Sequence, residues 1–267
     1  MSTTDQLFSI DGKVALVTGG SRGIGYMIAK GYVQNGVRVY ITSRTTKECE
    51  RAAETLSEHG SCIAIPSDIA TEGGRNVIFN TLNEREKSLD VLVNNAGITI
   101  AAGPEEGGFD AFPESSFNQV MAVNVTAPFL LTQKLIALLE NSASPSEPAR
   151  VINIGSVYGQ MVTEFPNAAV YGPSKAAIHF MTKEMGKYLG KRHILVNAIA
   201  PGLFESQLTQ TPDGQHDIEL ENYIAGKTPV GRTGQPDDMI GLAIFLASPA
   251  SNFINGEIIK LDGGYSL

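Results

Sequence analysis

A chain of 267 residues, 42% of them apolar, is long enough to bury one full α/β core and requires no second domain. Its formal net charge of -8 and isoelectric point near 5.1 disfavour nucleic acid and anionic membranes as partners. Two cysteines, Cys49 and Cys62, build no disulfide framework, and neither stands in a metal or redox spacing.

Residues 1–10 lack the basic-then-apolar pattern of a targeting segment, and no run of eighteen apolar residues is free of charge, so a reducing, cytoplasmic setting is expected. From Lys13 onward short β-branched runs alternate with longer amphipathic stretches, the pattern of βαβ units around a parallel sheet. Residues 14–18 are apolar without alternation, as a strand buried on both faces should be. They lead into Gly19, Gly23 and Gly25 and then a helical stretch over 26–35 ended by Gly36. The G-x-x-x-G-x-G spacing lets a backbone without Cβ atoms approach a pyrophosphate at a helix start.

The next strand, 37–42, ends at Ser43 and Arg44. Folds that prefer NAD place a carboxylate here for the ribose 2′-hydroxyl, and an arginine accommodates a 2′-phosphate instead. No Asp or Glu occurs over 37–47, whereas Arg44 and Arg22 are both available, so NADP(H) is the expected cofactor, with Arg44 its main phosphate contact. Residues 63–65 read as a third strand ending near Asp68 and Ile69, and 89–93 as a fourth running into Asn95, Ala96 and Gly97, with helices over 46–59 and 72–87. Asp68 is placed either to accept from an adenine amine or to cap a helix.

Further along, an apolar strand over 151–154 precedes Ser156, and Tyr171 and Lys175 stand four residues apart. On a helix that pair shares one face. Bringing a phenol from ~10 to ~7 takes roughly 4 kcal/mol of preferential stabilisation of the phenolate, of the kind a neighbouring ammonium supplies. A phenol so tuned exchanges a proton with a carbonyl or alcohol oxygen at neutral pH.

Taken together, Thr18 to Gly25, Asn94 to Gly97, Asn124, Ser156, Tyr171 with Lys175, and Pro201 with Gly202 resemble the motifs of the short-chain dehydrogenase/reductase family, of its shorter type, over nearly everything from Lys13 to Leu267. The resemblance implies a single Rossmann-type, doubly wound parallel sheet of about seven strands with helices on both faces. It implies a catalytic tetrad of Asn124, Ser156, Tyr171 and Lys175, in which Ser156 holds the substrate oxygen, Tyr171 protonates it, Lys175 lowers the phenol pKa and bonds the cofactor ribose, and Asn124 holds a relay water. For the cofactor it implies contacts from Gly19, Ser21, Arg22, Gly23, Ile24, Gly25, Ser43, Arg44, Asp68, Ile69, Asn95, Ala96, Gly97, Tyr171, Lys175, Pro201, Gly202 and Phe204. Ser206 stands where the family often has a threonine that binds the carboxamide. One departure is Pro173 inside the Tyr-Lys motif. Proline is tolerated only in the first turn of a helix, so Tyr171 is expected near the start of a helix over 167–189.

Two insertions bear on the substrate. Residues 99–116, with Phe109 and Phe112, read either as a loop near the cleft or as a plain surface excursion, and 203–228, with Phe204, Leu208, Ile218, Leu220 and Tyr223, as a lid over an apolar substrate. The helices 114–140 and 167–189 are apolar on more than one side, which predicts a homodimer or homotetramer. His59, His179, His193 and His216 fall outside the motifs and read as structural, and no metal is expected. Within the family, residues 148–157 and 197–204 are similar to 3-oxoacyl reductases of the rhamnolipid-pathway type. The expected activity is therefore NADPH-dependent reduction of a carbonyl of an apolar or acyl-type substrate to a secondary alcohol, with a secondary-metabolite or steroid-like alcohol dehydrogenase as the alternative and a non-catalytic dinucleotide-binding regulator as a third reading. Residues 140–147 carry no positive charge to grip an acidic carrier protein, which points to a free or CoA-linked substrate.

Overall fold

The computed structural model describes residues 2–100, 112–162, 169–204 and 217–267. Seven strands, β1 (Val14–Thr18), β2 (Arg38–Thr42), β3 (Cys62–Ala64), β4 (Val91–Asn94), β5 (Ala149–Ile154), β6 (Ile194–Pro201) and β7 (Ile258–Leu261), form one parallel sheet in the order β3-β2-β1-β4-β5-β6-β7. The chain winds outward from β1 to β3 and then returns to β4 on the other side of β1. A crevice therefore opens at the carboxyl ends of β1 and β4, where open α/β sheets bind ligands.

The strands' apolar runs are continuous because both faces of the sheet are covered. Ala15, Val17, Val39, Ile41, Val91 and Val93 face one layer, with Ile28, Ala29 and Tyr32 of α2 (Gly23–Gln34), Leu56 of α3 (Thr46–Ser57), and Met239, Ala243 and Leu246 of α9 (Pro236–Ala247). Leu16, Tyr40 and Leu92 face the other, with Ile78 and Leu82 of α4 (Glu72–Arg85), Leu131, Leu135 and Leu138 of α6 (Ala127–Ser142), and Met185 and Leu189 of α7 (Tyr171–Leu189). Each fully buried aliphatic side chain contributes about 1.5–3 kcal/mol relative to exposure.

Buried amides tie the middle of the sheet to its helices. Asn94 donates to Asn153 (2.9 Å) and Thr132 (3.1 Å), and Asn153 donates to Thr182 (2.9 Å), linking β4, β5, α6 and α7. A short helix α1 (Thr3–Phe8), opened by a capping box between Ser2 and Asp5, precedes the sheet and packs Phe8 at a tilt against Phe245.

Several boundaries differ from the sequence expectation. Helix α2 starts at Gly23, inside the glycine-rich turn. Helix α7 starts at Tyr171, and residues 163–168, which include the expected start near 167, lie outside the described residues. Glu114 to Ser116 of the expected loop 99–116 open a helix, α5 (Glu114–Met121), while 101–111 lie outside the description. A π-helical turn, Ala122–Thr126, joins α5 to α6. The resulting Glu114–Ser142 helix is long and apolar enough to cross a membrane by length and composition alone, but Leu131, Leu135, Leu138 and Leu139 pack into the core. Of the expected lid, 205–216 lie outside the described residues, and α8 (Ile218–Lys227) forms its second half.

Candidate active site

A cleft of about 580 Å³ opens at the carboxyl end of the sheet. Its floor is the turn after β1. Gly19 takes a left-handed φ of +65°, and a Cβ on Gly25 would lie 2.3 Å from the Gly19 carbonyl oxygen, so the turn closes only without side chains. Ser21, Arg22, Gly23 and Ile24 line the cleft beside Gly19, whereas Gly25 is buried behind it. No side chain caps the N-terminus of α2, which leaves its first N–H groups aimed into the opening, as an anion requires. Arg44 and Ser43, at the end of β2, line the same region. Arg22 is bridged to Glu48 at 3.6 Å, a carboxylate one residue beyond the acid-free stretch that suggested NADP(H). Both groups of this pair are half exposed, so it contributes little. These features fit a dinucleotide carrying a 2′-phosphate.

Asp68 and Ile69 line the cleft after β3. Asp68 accepts from the Ala70 N–H at 2.9 Å, while the N-cap of α4 is Thr71, so the helix-cap alternative falls to a neighbour. Asn95, Ala96 and Gly97 follow β4 and are clamped to β1. The Thr18 hydroxyl accepts from the N–H groups of Asn95 (3.0 Å) and Ala96 (3.1 Å), and the Asn95 amide donates to the Thr18 carbonyl at 2.8 Å. Pro201, Gly202 and Phe204 form the wall after β6, with Phe204 buried against Gly234. Ser206 lies outside the described residues.

On the opposite wall Ser156, Tyr171 and Lys175 meet. Ser156 follows the end of β5 by two residues and caps a 3-10 turn, Val157–Gly159, its oxygen accepting from the Tyr158 N–H at 3.2 Å. Pro173 sits in the first turn of α7, where its missing N–H costs nothing, so Tyr171 opens the helix with Lys175 one turn below. The Lys175 ammonium donates to the Ile154 carbonyl at 2.9 Å and stands 5.5 Å from the centre of the Tyr171 ring. Burial lowers the Lys175 pKa to about 8.

The phenol shifts the opposite way from the sequence expectation. Burial raises its pKa above its ordinary value, and a hydrogen bond with Ser156 opposes the rise. The ammonium is committed to a carbonyl rather than aimed at the phenol oxygen, and the desolvated phenolate is costly.

Asn124 lies in the π-turn behind the cleft, 2% exposed. Its oxygen accepts from the Ile98 N–H at 2.8 Å, and its amide donates to the Ile98 carbonyl (2.9 Å) and the Ser174 hydroxyl (3.0 Å). The side chain therefore pins the segment after Gly97 to α7.

Other residues join the site without belonging to a motif. Tyr158 and Tyr265 line the cleft with hydroxyls 3.5 Å apart, and Leu220 and Ile224 of α8 supply apolar lining. Tyr265 reaches the cleft from the end of the chain, which no local pattern announces. His179, read as structural, is buried against Ser156, and its place one turn after Lys175 was a signal available in the spacing. Among the described residues no cluster of His, Cys, Asp and Glu could hold a metal.

A family model described as enoyl-(acyl carrier protein) reductase matches residues 19–266. The rhamnolipids biosynthesis 3-oxoacyl-[acyl-carrier-protein] reductase of Pseudomonas aeruginosa is 44% identical over 260 residues, covering 97% of this chain and 98% of that protein. Among solved structures, the Pseudomonas aeruginosa RhlG/NADP active-site complex is similar at a TM-score of 0.91 and 43% identity, over 98% of this chain and 99% of that one. A gluconate 5-dehydrogenase from Burkholderia cenocepacia J2315, in complex with NADP and tartrate, is similar at a TM-score of 0.87 and 31% identity, over 98% of each chain.

Proposed function

The chain belongs to the short-chain dehydrogenase/reductase family, and from that premise we propose that it is an NADPH-dependent ketoreductase that turns the carbonyl of an apolar, acyl-type substrate into a secondary alcohol. One observation carries the reading: Ser156, Tyr171 and Lys175 face the same cleft as the uncapped, glycine-lined start of α2. Within the cleft, Gly19, Ser21, Gly23 and Ile24 would hold the pyrophosphate, Arg44 and Arg22 the 2′-phosphate, and Asn95 to Gly97 with Pro201 and Gly202 the remainder of the dinucleotide. When bound, NADPH supplies the hydride.

The protein's own part is proton delivery and placement. The Ser156 hydroxyl orients the carbonyl oxygen, and the Tyr171 O–H donates its proton as negative charge develops there. A phenol held above its ordinary pKa is fully protonated at neutral pH and ready to donate. The phenolate left behind is met by the Ser156 hydroxyl and by the Lys175 ammonium beside the ring. With its side chain engaged, Asn124 serves through the backbone, because a π-turn releases carbonyls from the regular helical ladder to hold a water beside Lys175.

Apolar lining from Phe204, Leu220 and Ile224 supports an acyl chain, and the Tyr158 and Tyr265 hydroxyls a polar group beside it. The segment 140–147, without positive charge, favours a free or CoA-linked ketone over a carrier-bound one. We read the chain as one dinucleotide-binding domain with a lid over 203–228, assembled as a homodimer or homotetramer. Phe129 on α6 and Phe180 and Tyr188 on α7 are 46%, 65% and 69% exposed, more than solvent-facing aromatics need. Two free, buried thiols suit a reducing cytoplasm.

The test is NADPH oxidation against a panel of β-keto thioesters, including acetoacetyl-CoA, and cyclic ketones. Tyr171→Phe should lower kcat by about 10²- to 10⁴-fold while NADPH still binds. Unchanged turnover in that variant removes Tyr171 as the acid.

A further inference from the structure

Beneath Ser156 lies a residue that no motif includes. His179 follows Tyr171 by eight residues and Lys175 by four on α7, so the three side chains descend one face of the helix. The imidazole is 6% exposed and fills the hollow under the junction between β5 and the 3-10 turn. A Cβ on Gly155 would lie 2.1 Å from its Nε2, and one on Gly159 2.7 Å from its Cε1, so the backbone rests directly on the ring.

The ring also answers a hydrogen-bonding need. The buried N–H of Ser156 donates to His179 Nε2 at 3.4 Å, the acceptor it finds among the described residues. That contact requires a bare Nε2 and puts the ring proton on Nδ1. Nδ1 makes no well-aligned hydrogen bond but faces the backbone of Gly159. Burial, followed by the charges of Lys175 and Lys183, lowers the imidazole pKa to about 4, with the Gly159 backbone opposing, so the ring stays neutral and keeps accepting. Ser156 is thus held twice, through its N–H by His179 and through its oxygen by the Tyr158 N–H.

We propose that His179 is a positioning residue for carbonyl reduction: its imidazole anchors the Ser156 backbone and so aims the Ser156 hydroxyl at the oxygen that Tyr171 protonates. The proposal rests on the catalytic reading of Ser156 and Tyr171 given above. It goes beyond packing, because it requires an acceptor at the Nε2 position and not merely a side chain of imidazole volume.

The experiment compares His179→Leu, His179→Gln and His179→Asn in the full chain, using NADPH and the most rapidly reduced member of the panel. Gln places a polar atom near the Nε2 position; Asn is too short. Loss of the acceptor in His179→Leu should lower kcat roughly tenfold to a hundredfold, with the NADPH dissociation constant within about twofold of wild type. His179→Gln should recover at least about half of the wild-type kcat, and His179→Asn should stay near the Leu variant. Wild-type kcat in His179→Leu overturns the proposal, as do losses in all three variants that merely follow their thermal midpoints. Should the Leu variant not fold, equal kcat in the Gln and Asn variants overturns it. Failure of the underlying reading looks different: the wild type turns over no member of the panel, or Tyr171→Phe retains its turnover.

Discussion

Lys175 is a cation held away from water, and its free energy follows pH in a definite direction. With its pKa lowered from 10.5 to about 8, the folded chain bears the full cost of the buried charge below pH 8. Between pH 8 and 10.5 the unfolded chain binds more protons than the folded one, so this group makes stability rise with pH across that window. Denaturant midpoints at pH 8 and 9.5 should rise in the wild type relative to Lys175→Met, and parallel behaviour would contradict the burial argument. Tyr171, shifted upward, acts in the opposite sense only above pH 10. At the far end of the cleft, Arg44→Asp should weaken NADPH binding at least about tenfold and move preference toward NADH, since a charge-assisted contact is replaced by repulsion. Fluorescence titration with both nucleotides checks this, and equal affinities in the wild type would overturn the cofactor assignment. Spacing alone was enough to pick out Tyr171 and Lys175 as neighbours, because a helix turns i and i+4 to one side. It could not show that the ammonium bonds a carbonyl on β5, twenty-one residues back, nor that burial would win over charge at the phenol.

Among the elements, the strand ends are cross-linked before any ligand arrives. The Thr18 hydroxyl satisfies two backbone N–H groups in the segment after β4. Thr18→Val should destabilise the fold by about 1–3 kcal/mol through unmet donors and weaken NADPH binding, as thermal melts and nucleotide titration would show. An unaltered melting point would mean that water replaces the hydroxyl. Strands β1 and β2 were legible because their apolar runs, Val14 to Val17 and Val39 to Ile41, are continuous. The three-residue β3, expected over 63–65, lies at Cys62–Ala64, whereas the helix α9, apolar around most of its circumference, carries no periodicity that announces it. The start of α7 was legible in part: Pro173 excluded a longer first turn, so Tyr171 had to lie near the N-terminus. The π-turn at Asn124 had no signature, since it depends on Ile98 and Ser174 drawing the amide inward from distant parts of the chain.

For the molecule as a whole, β1 to β4 could be read from the alternation of strand-like and helix-like stretches and β5 from the apolar run before Ser156, while β6 and β7 came through the family resemblance. Phe129 on α6 and Phe180 and Tyr188 on α7 stand exposed on a single copy of the chain. With a second copy there, Phe180→Asp should split the assembly, lowering the mass measured by light scattering to half or a quarter. A wild-type chain that elutes as a stable monomer would refute the assembly. Lys175 has a wider implication. Because one ammonium fastens helix α7 to strand β5 and also stands beside the Tyr171 ring, the fold and the proposed proton delivery draw on the same side chain. A descendant drifting from enzyme toward nucleotide sensor would therefore shed the tyrosine early and keep the lysine long after its chemistry had ceased.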